Sequence, residues 1–166
     1  MSRLSVGSGL AVLLVVLSYY FTASGHDAGA AGRPGGQPLR SQVVSWDRAP
    51  AHRAEWGQMR FYFRGQTGGT ERVLVAAAVV KPGQAVHKAH RHAEEEYLYL
   101  ADGEGTWHLA GREIPAKKGD MLYVEPWVYH GLTNTGESPL VFVVFRYQSK
   151  GLPTPRRPDD RPDELR

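Results

Sequence analysis

Residues 82–105 read PGQAVHKAHRHAEEEYLYLADGEG, and three of the chain's seven histidines, His87, His90 and His92, fall there ahead of three glutamates. Neutral imidazole and carboxylate are ligands for first-row divalent metals, and both also accept protons. On a strand, residues two apart point to the same face. His90 and His92 therefore converge if that face is the inside of a barrel, and Glu96 shares their parity. His87 has the opposite parity and is expected to face elsewhere. Glu94 falls in a turn, and Glu95 faces away. A second polar cluster follows at residues 119–134, GDMLYVEPWVYHGLTN. It sets His130 on a short strand and ends at Asn134, the only asparagine in the chain. Three imidazoles and one carboxylate suit a single divalent transition metal: Fe, Mn, Ni, Cu or Zn, among which the spacing does not choose. Without an ion the same four groups are costly to bury together.

The elements that must position these groups are strands. MRFYFR (59–64), RVLVAAAVV (72–80), EYLYLA (96–101), GTWHLAG (105–111), REIPA (112–116), DMLYVE (120–125) and LVFVVFRYQ (140–148) lie between Gly- and Pro-bearing turns. Short strands at this spacing predict an all-β fold, a single small barrel or jelly roll. No amphipathic helix is expected after residue 25. Residues 41–150 form the expected barrel. Residues 31–40 read as a Gly/Pro-rich linker, and residues 151–166, rich in Pro, Arg and Asp, as a disordered tail.

Residues 1–30 hold Arg3 and then 22 uncharged residues from Leu4 to Gly25. That pattern is a signal peptide or a retained membrane anchor helix, and either puts the domain outside the cytoplasm, periplasmic or secreted. Only this segment, left uncleaved, would contact a membrane. Net charge is +3 with scattered basic residues, which argues against nucleic acid as a partner. With no cysteine, thiol nucleophiles, thiolate metal sites and disulfides are excluded.

The two polar clusters resemble the two motifs of the cupin superfamily. The first motif, G-x5-H-x-H-x3,4-E-x6-G, is met by His90, His92, Glu96 and Gly103, with six residues rather than five between Gly83 and His90. The second, G-x5-P-x-G-x2-H-x3-N, is met by Gly119, His130 and Asn134. Glu125 stands where Pro is usual, and Trp127 where Gly is usual. The resemblance implies a barrel of six to eight strands and one metal held by His90, His92, Glu96 and His130. It also implies an Asn134 that ties a turn, and a homodimer as the default partner state.

The cupin superfamily includes oxygenases, decarboxylases, isomerases and plain binders, so the resemblance speaks to fold and metal more than to reaction. The expected function is an exported, metal-dependent, dioxygenase-like oxidoreductase acting on a small organic molecule. Glu96 would then be both ligand and catalytic base. The alternative is a non-catalytic cupin that binds a metal or small ligand. Leu98, Leu100, Val124 and Leu132 are expected to form an apolar wall beside the metal. Trp127 either caps the cavity entrance or packs on a loop. Arg60, Arg64 and Arg146 are the candidates on barrel strands for orienting a substrate, and the sequence leaves their facing open.

Overall fold

Runs of Val, Tyr and Phe favour extended backbone, and the Gly, Pro and Asp between them favour turns. The computed structural model describes residues 37–159 and has nine strands there. In chain order they are β1 (Ala51–Ala54), β2 (Gly57–Gly65), β3 (Thr70–Val80), β4 (Glu95–Asp102), β5 (Glu104–Leu109), β6 (Arg112–Lys117), β7 (Met121–Val124), β8 (His130–Thr133) and β9 (Leu140–Ser149). One sheet runs β1-β2-β3-β9-β4-β7, the other β6-β5-β8. Every pairing is antiparallel. Among the described residues the only helix is a single 3₁₀ turn, Trp46–Arg48, and no helix is long and apolar enough to cross a membrane.

Alternation decides which face is the core. On β4, Glu96, Leu98 and Leu100 are buried, while Tyr99 is exposed. On β9, Leu140, Phe142 and Val144 are buried and Phe145 is exposed. These side chains meet Trp107 of β5 and Leu132 of β8 in one apolar cluster. The outer face of the six-stranded sheet also shows Met121 and Tyr123 to solvent. Leu98 and Leu100 thus line the interior as their parity predicts.

The chain crosses between the sheets four times, from β4 to β5, β6 to β7, β7 to β8 and β8 to β9. Between β4 and β5 the chain turns at Gly103, with φ 79°, and a Cβ there would lie 2.7 Å from Pro139 O. Only glycine relieves both constraints at that turn. Between β7 and β8 the crossing is residues 125–129, inside the second polar cluster.

The strand pattern departs from the sequence expectation in two places. β1, exposed at all four residues, has no apolar alternation and exists because it pairs with β2 across a tight hairpin. His90 and His92, paired by strand parity in the sequence, lie instead in a bent loop, residues 85–94, with two isolated bridges, Ala85 to Thr133 and His90 to His130. The expected signal or anchor helix lies outside the described residues. Residues 151–159 are exposed and carry no regular structure. Hydrogen bonds reach them from Trp127 Nε1 to Pro155 O at 2.8 Å and from Gln148 Nε2 to Thr154 Oγ1.

Candidate metal centre

The loop between β3 and β4 is laid against β8 by backbone hydrogen bonds. Gly83 N donates to Asn134 O and Asn134 N to Gln84 O, each at 2.9 Å. His90 N and His130 N each donate to the other's carbonyl, also at 2.9 Å. Gly131 permits this approach, since a Cβ on it would come within 3.1 Å of Ala89 Cα. One further bond, Trp127 N to His92 O at 2.7 Å, ties the β7–β8 crossing to the same loop. The convergence of His90 and His92 therefore comes from this docking, not from strand parity.

The result is a cluster. One nitrogen from each of His90, His92 and His130 lies within 4.8 Å of the others. Glu96 enters from the start of β4, with Oε2 at 3.2 Å from His92 Nε2 and Oε1 at 3.5 Å from His130 Nε2. His92, Glu96 and His130 are buried, and His90 is half-buried. The four residues singled out by spacing are brought to one point.

The hydrogen bonds on the far side of two rings fix what the near side offers. His92 Nδ1 donates to Glu94 O at 3.0 Å, and His130 Nδ1 donates to Val128 O at 2.8 Å. In neutral imidazoles this leaves both Nε2 atoms as lone pairs aimed at the Glu96 carboxylate, itself an acceptor. His130 Nε2 and His90 Nδ1 are buried with no hydrogen-bond partner. Buried lone pairs facing a buried carboxylate need a proton or a metal ion between them. The donor set fits a divalent ion of the imidazole-binding kind.

Without an ion, protons on the imidazoles would have to take its place. Burial opposes ionisation of Glu96, and only hydrogen bonds and charge from protonated His130 and His92 then outweigh it and hold the carboxyl well below the usual carboxylate range. Burial, with His87, His130 and His92 alongside, pushes His90 down to about 3. A neutral imidazole is the ligand form.

The three consecutive glutamates divide their work. Glu94 pairs with Arg72 at 3.4 Å, Glu95 accepts from Tyr147 OH at 2.9 Å, and Glu96 enters the cluster. His87 departs from its parity expectation. Its ring meets that of His90 edge-on with centroids 4.1 Å apart, and its Nδ1 bonds Lys88 O. As a residue it is exposed, yet neighbouring atoms crowd the ring, and desolvation leads the causes that lower its pKa. The positive charge of Arg146 acts on His87 in the same direction.

Trp127 takes up a left-handed backbone, φ 66°, at the motif position where glycine is usual. For a bulky side chain that conformation costs roughly 1–2 kcal/mol. Its indole Nε1 donates to Pro155 O of the tail at 2.8 Å. Glu125 is exposed. His108 is half-buried, bonds Thr133 Oγ1 at 3.0 Å and faces Glu113, apart from the cluster. Leu98, Leu100, Val124 and Leu132 are all buried.

Comparison with known proteins fits this geometry. The chain is 33% identical over 70 residues to the oxalate-binding protein of Thermotoga maritima. It is 30% identical over 76 residues to the acireductone dioxygenase of Aspergillus fumigatus. The first alignment covers 42% of this chain and 58% of the relative, the second 42% and 43%. A solved structure, described as a predicted oxalate decarboxylase from Thermotoga maritima, superimposes with a TM-score of 0.55 at 24% identity. It covers 64% of this chain and 99% of its own, a likeness that speaks for the fold. The family model for the cupin domain, Cupin_2, matches residues 77–146, which hold all four clustered residues. By that match residues 77–146 are a cupin domain, and the solved structure's likeness agrees in fold.

Proposed function

We propose that His90, His92, Glu96 and His130 hold one divalent transition metal, and that the chain is a metal-dependent oxidoreductase of the dioxygenase kind. The observation that carries the metal is the pair of buried Nε2 lone pairs aimed at a buried carboxylate. When bound, the ion would supply Lewis acidity and, if it is redox-active, a path for electrons from an organic ligand to O₂. That ligand is itself oxidised, so no separate reductant is needed.

The chain's own groups have defined tasks in this reading. The Nδ1–H bonds to Glu94 O and Val128 O keep the His92 and His130 rings in ligand orientation. Glu96 is the carboxylate that would take the proton an enol, phenol or acid loses on binding. Leu98, Leu100, Val124 and Leu132 exclude water from the inner side. Residues 1–30 would direct the protein out of the cytoplasm, a reading supported by their sequence pattern. A second reading, a cupin that captures a small ligand without turnover, is favoured by the 33% identity to a protein named for binding oxalate.

Elemental analysis of the full chain, wild type beside His90→Ala and His130→Ala, tests the site. The expected result is about one equivalent of metal in the wild type and loss of most of it in both variants. Full metal content in both variants would sink the ligand assignment. With Fe, Mn, Cu or Ni present, O₂ consumption on a panel of phenols, diketones and short organic acids supports the oxidoreductase. Zinc, or a panel without turnover, supports the binder.

A further inference from the structure

Arg146 stands on β9 directly opposite Glu96 of β4 and directly opposite Leu74 of β3. Residues paired this way share a face of the sheet, with Cβ atoms about 5 Å apart. Glu96 points into the interior, and so do Phe142 and Val144, which precede Arg146 at its own parity. The guanidinium therefore rises from the inner face beside the metal cluster. Arg146 is half-buried, and among the described residues no hydrogen bond or ion pair engages it. Other arginines on these strands are occupied. Arg60 donates to Trp46 O and Ala49 O, and Arg72 bonds Gln148 and Glu94. Arg64 is exposed and lies over Phe61.

A guanidinium without a protein partner keeps its whole fork of donors for an incoming anion. Arg146 does not close on Glu96, although it faces it; its charge reaches His87 instead. His87 is the residue whose ring meets that of His90, so the charge of Arg146 is felt beside the cluster. The planar fork of donors matches a carboxylate better than any other small anion. A phosphate dianion would call for more donors than one guanidinium offers.

We propose that Arg146 anchors a carboxylate of the ligand held at the cluster, so that the protein's ligands are small chelating organic acids. This rests on the metal reading above. One pair of ligand oxygens would face the metal, and an outward carboxylate oxygen would accept from Arg146.

The test uses the metal-loaded full chain and two probes. Oxalate chelates and still presents outward carboxylate oxygens; tropolone chelates without one. Calorimetry would give both affinities for wild type, Arg146→Gln and Arg146→Lys, with metal content and melting temperature read on each sample. The expected result is unchanged metal and tropolone binding, with oxalate binding weakened roughly 10- to 100-fold in Arg146→Gln. Arg146→Lys keeps the stem and the charge without the fork, guards against misfolding, and should fall between the two. Equal oxalate affinity in wild type and Arg146→Gln, with metal and tropolone retained, overturns the role of Arg146 and leaves the metal site standing. Failure of the wild type to hold metal or bind tropolone overturns the metal reading and this one with it.

Discussion

Asn134 is fully buried and spends its whole amide on the backbone. Nδ2 donates to Val80 O at 2.9 Å and to Ser138 O at 2.8 Å, and Oδ1 accepts from Gly136 N at 3.0 Å. It locks the turn after β8 onto the end of β3, beside the loop that carries His90. Asn134→Ala would remove the side-chain partner of Val80 O in the interior and those of Ser138 O and Gly136 N nearer the surface, at a cost of about 1–3 kcal/mol. Urea unfolding should show that loss, while elemental analysis should show metal content near that of the wild type. A variant of unchanged stability, or one that keeps its fold and loses metal, would falsify the view that Asn134 ties a turn and binds nothing. At this scale much was legible. His90, His92, Glu96, His130 and Asn134 stand out by type and offset. Where His87 and Arg146 face was not legible, each for its own reason. Strand parity says nothing of His87, whose segment is a loop docked on β8. On LVFVVFRYQ both faces are apolar, so alternation carries no information about where Arg146 points.

Glu95 and Tyr147 sit opposite each other where β4 pairs with β9, and their side chains close the outer face with one hydrogen bond. That bond to Glu95 and, behind it, desolvation and the Glu95 charge push the Tyr147 phenol up to about 12 from 10.0. The folded state disfavours the phenolate, so the stabilisation is fully present below pH 10 and is lost as pH rises through about 12. The pair is largely solvent-screened, so its worth is at most about 1 kcal/mol. Tyr147→Phe should be slightly less stable than wild type at pH 8, and the two should converge above pH 12. Its tyrosinate absorbance should lack the latest-titrating phenol. Identical alkaline titrations of wild type and variant would remove the pair from the account of β4–β9 pairing. Elements were legible where burial imposes alternation, as on β4, where Glu96, Leu98 and Leu100 alternate with three tyrosine and glutamate positions on the other face. They were illegible where a partner imposes the strand. β1 is polar, small and exposed throughout, and only the hairpin with β2 extends it. The left-handed backbone at Trp127 was also hidden. The motif's usual glycine hints at it, but a tryptophan there gives no such sign until its bonds to His92 O and Pro155 O are seen.

The four clustered residues come from three places in the molecule. Glu96 belongs to the six-stranded sheet, His130 to the three-stranded sheet, and His90 and His92 to the loop that bridges them. An ion held by all four would staple the two sheets at one end of the core. In its absence that end keeps a buried carboxylate beside buried imidazoles, a set that is stable only with a proton or metal among it. Metal bound to the native state alone adds stability by mass action, about 2.7 kcal/mol when free metal stands at 100 times its dissociation constant. For a folded unit of this size that corresponds to a rise in melting temperature on the order of 10 °C. Stripping the metal with a chelator, then restoring it by dialysis, should lower and recover the melting temperature by that amount. His130→Ala should melt near the stripped wild type and should not respond to the chelator, because the only ligand from the three-stranded sheet is gone. The two observations must go together. A wild type that loses its metal and melts unchanged would mean the ion rides on a site the fold already completes, with hydrogen bonds such as His90 N to His130 O sufficient to hold the sheets. A His130→Ala variant that still responds to the chelator would place the ion elsewhere in the chain.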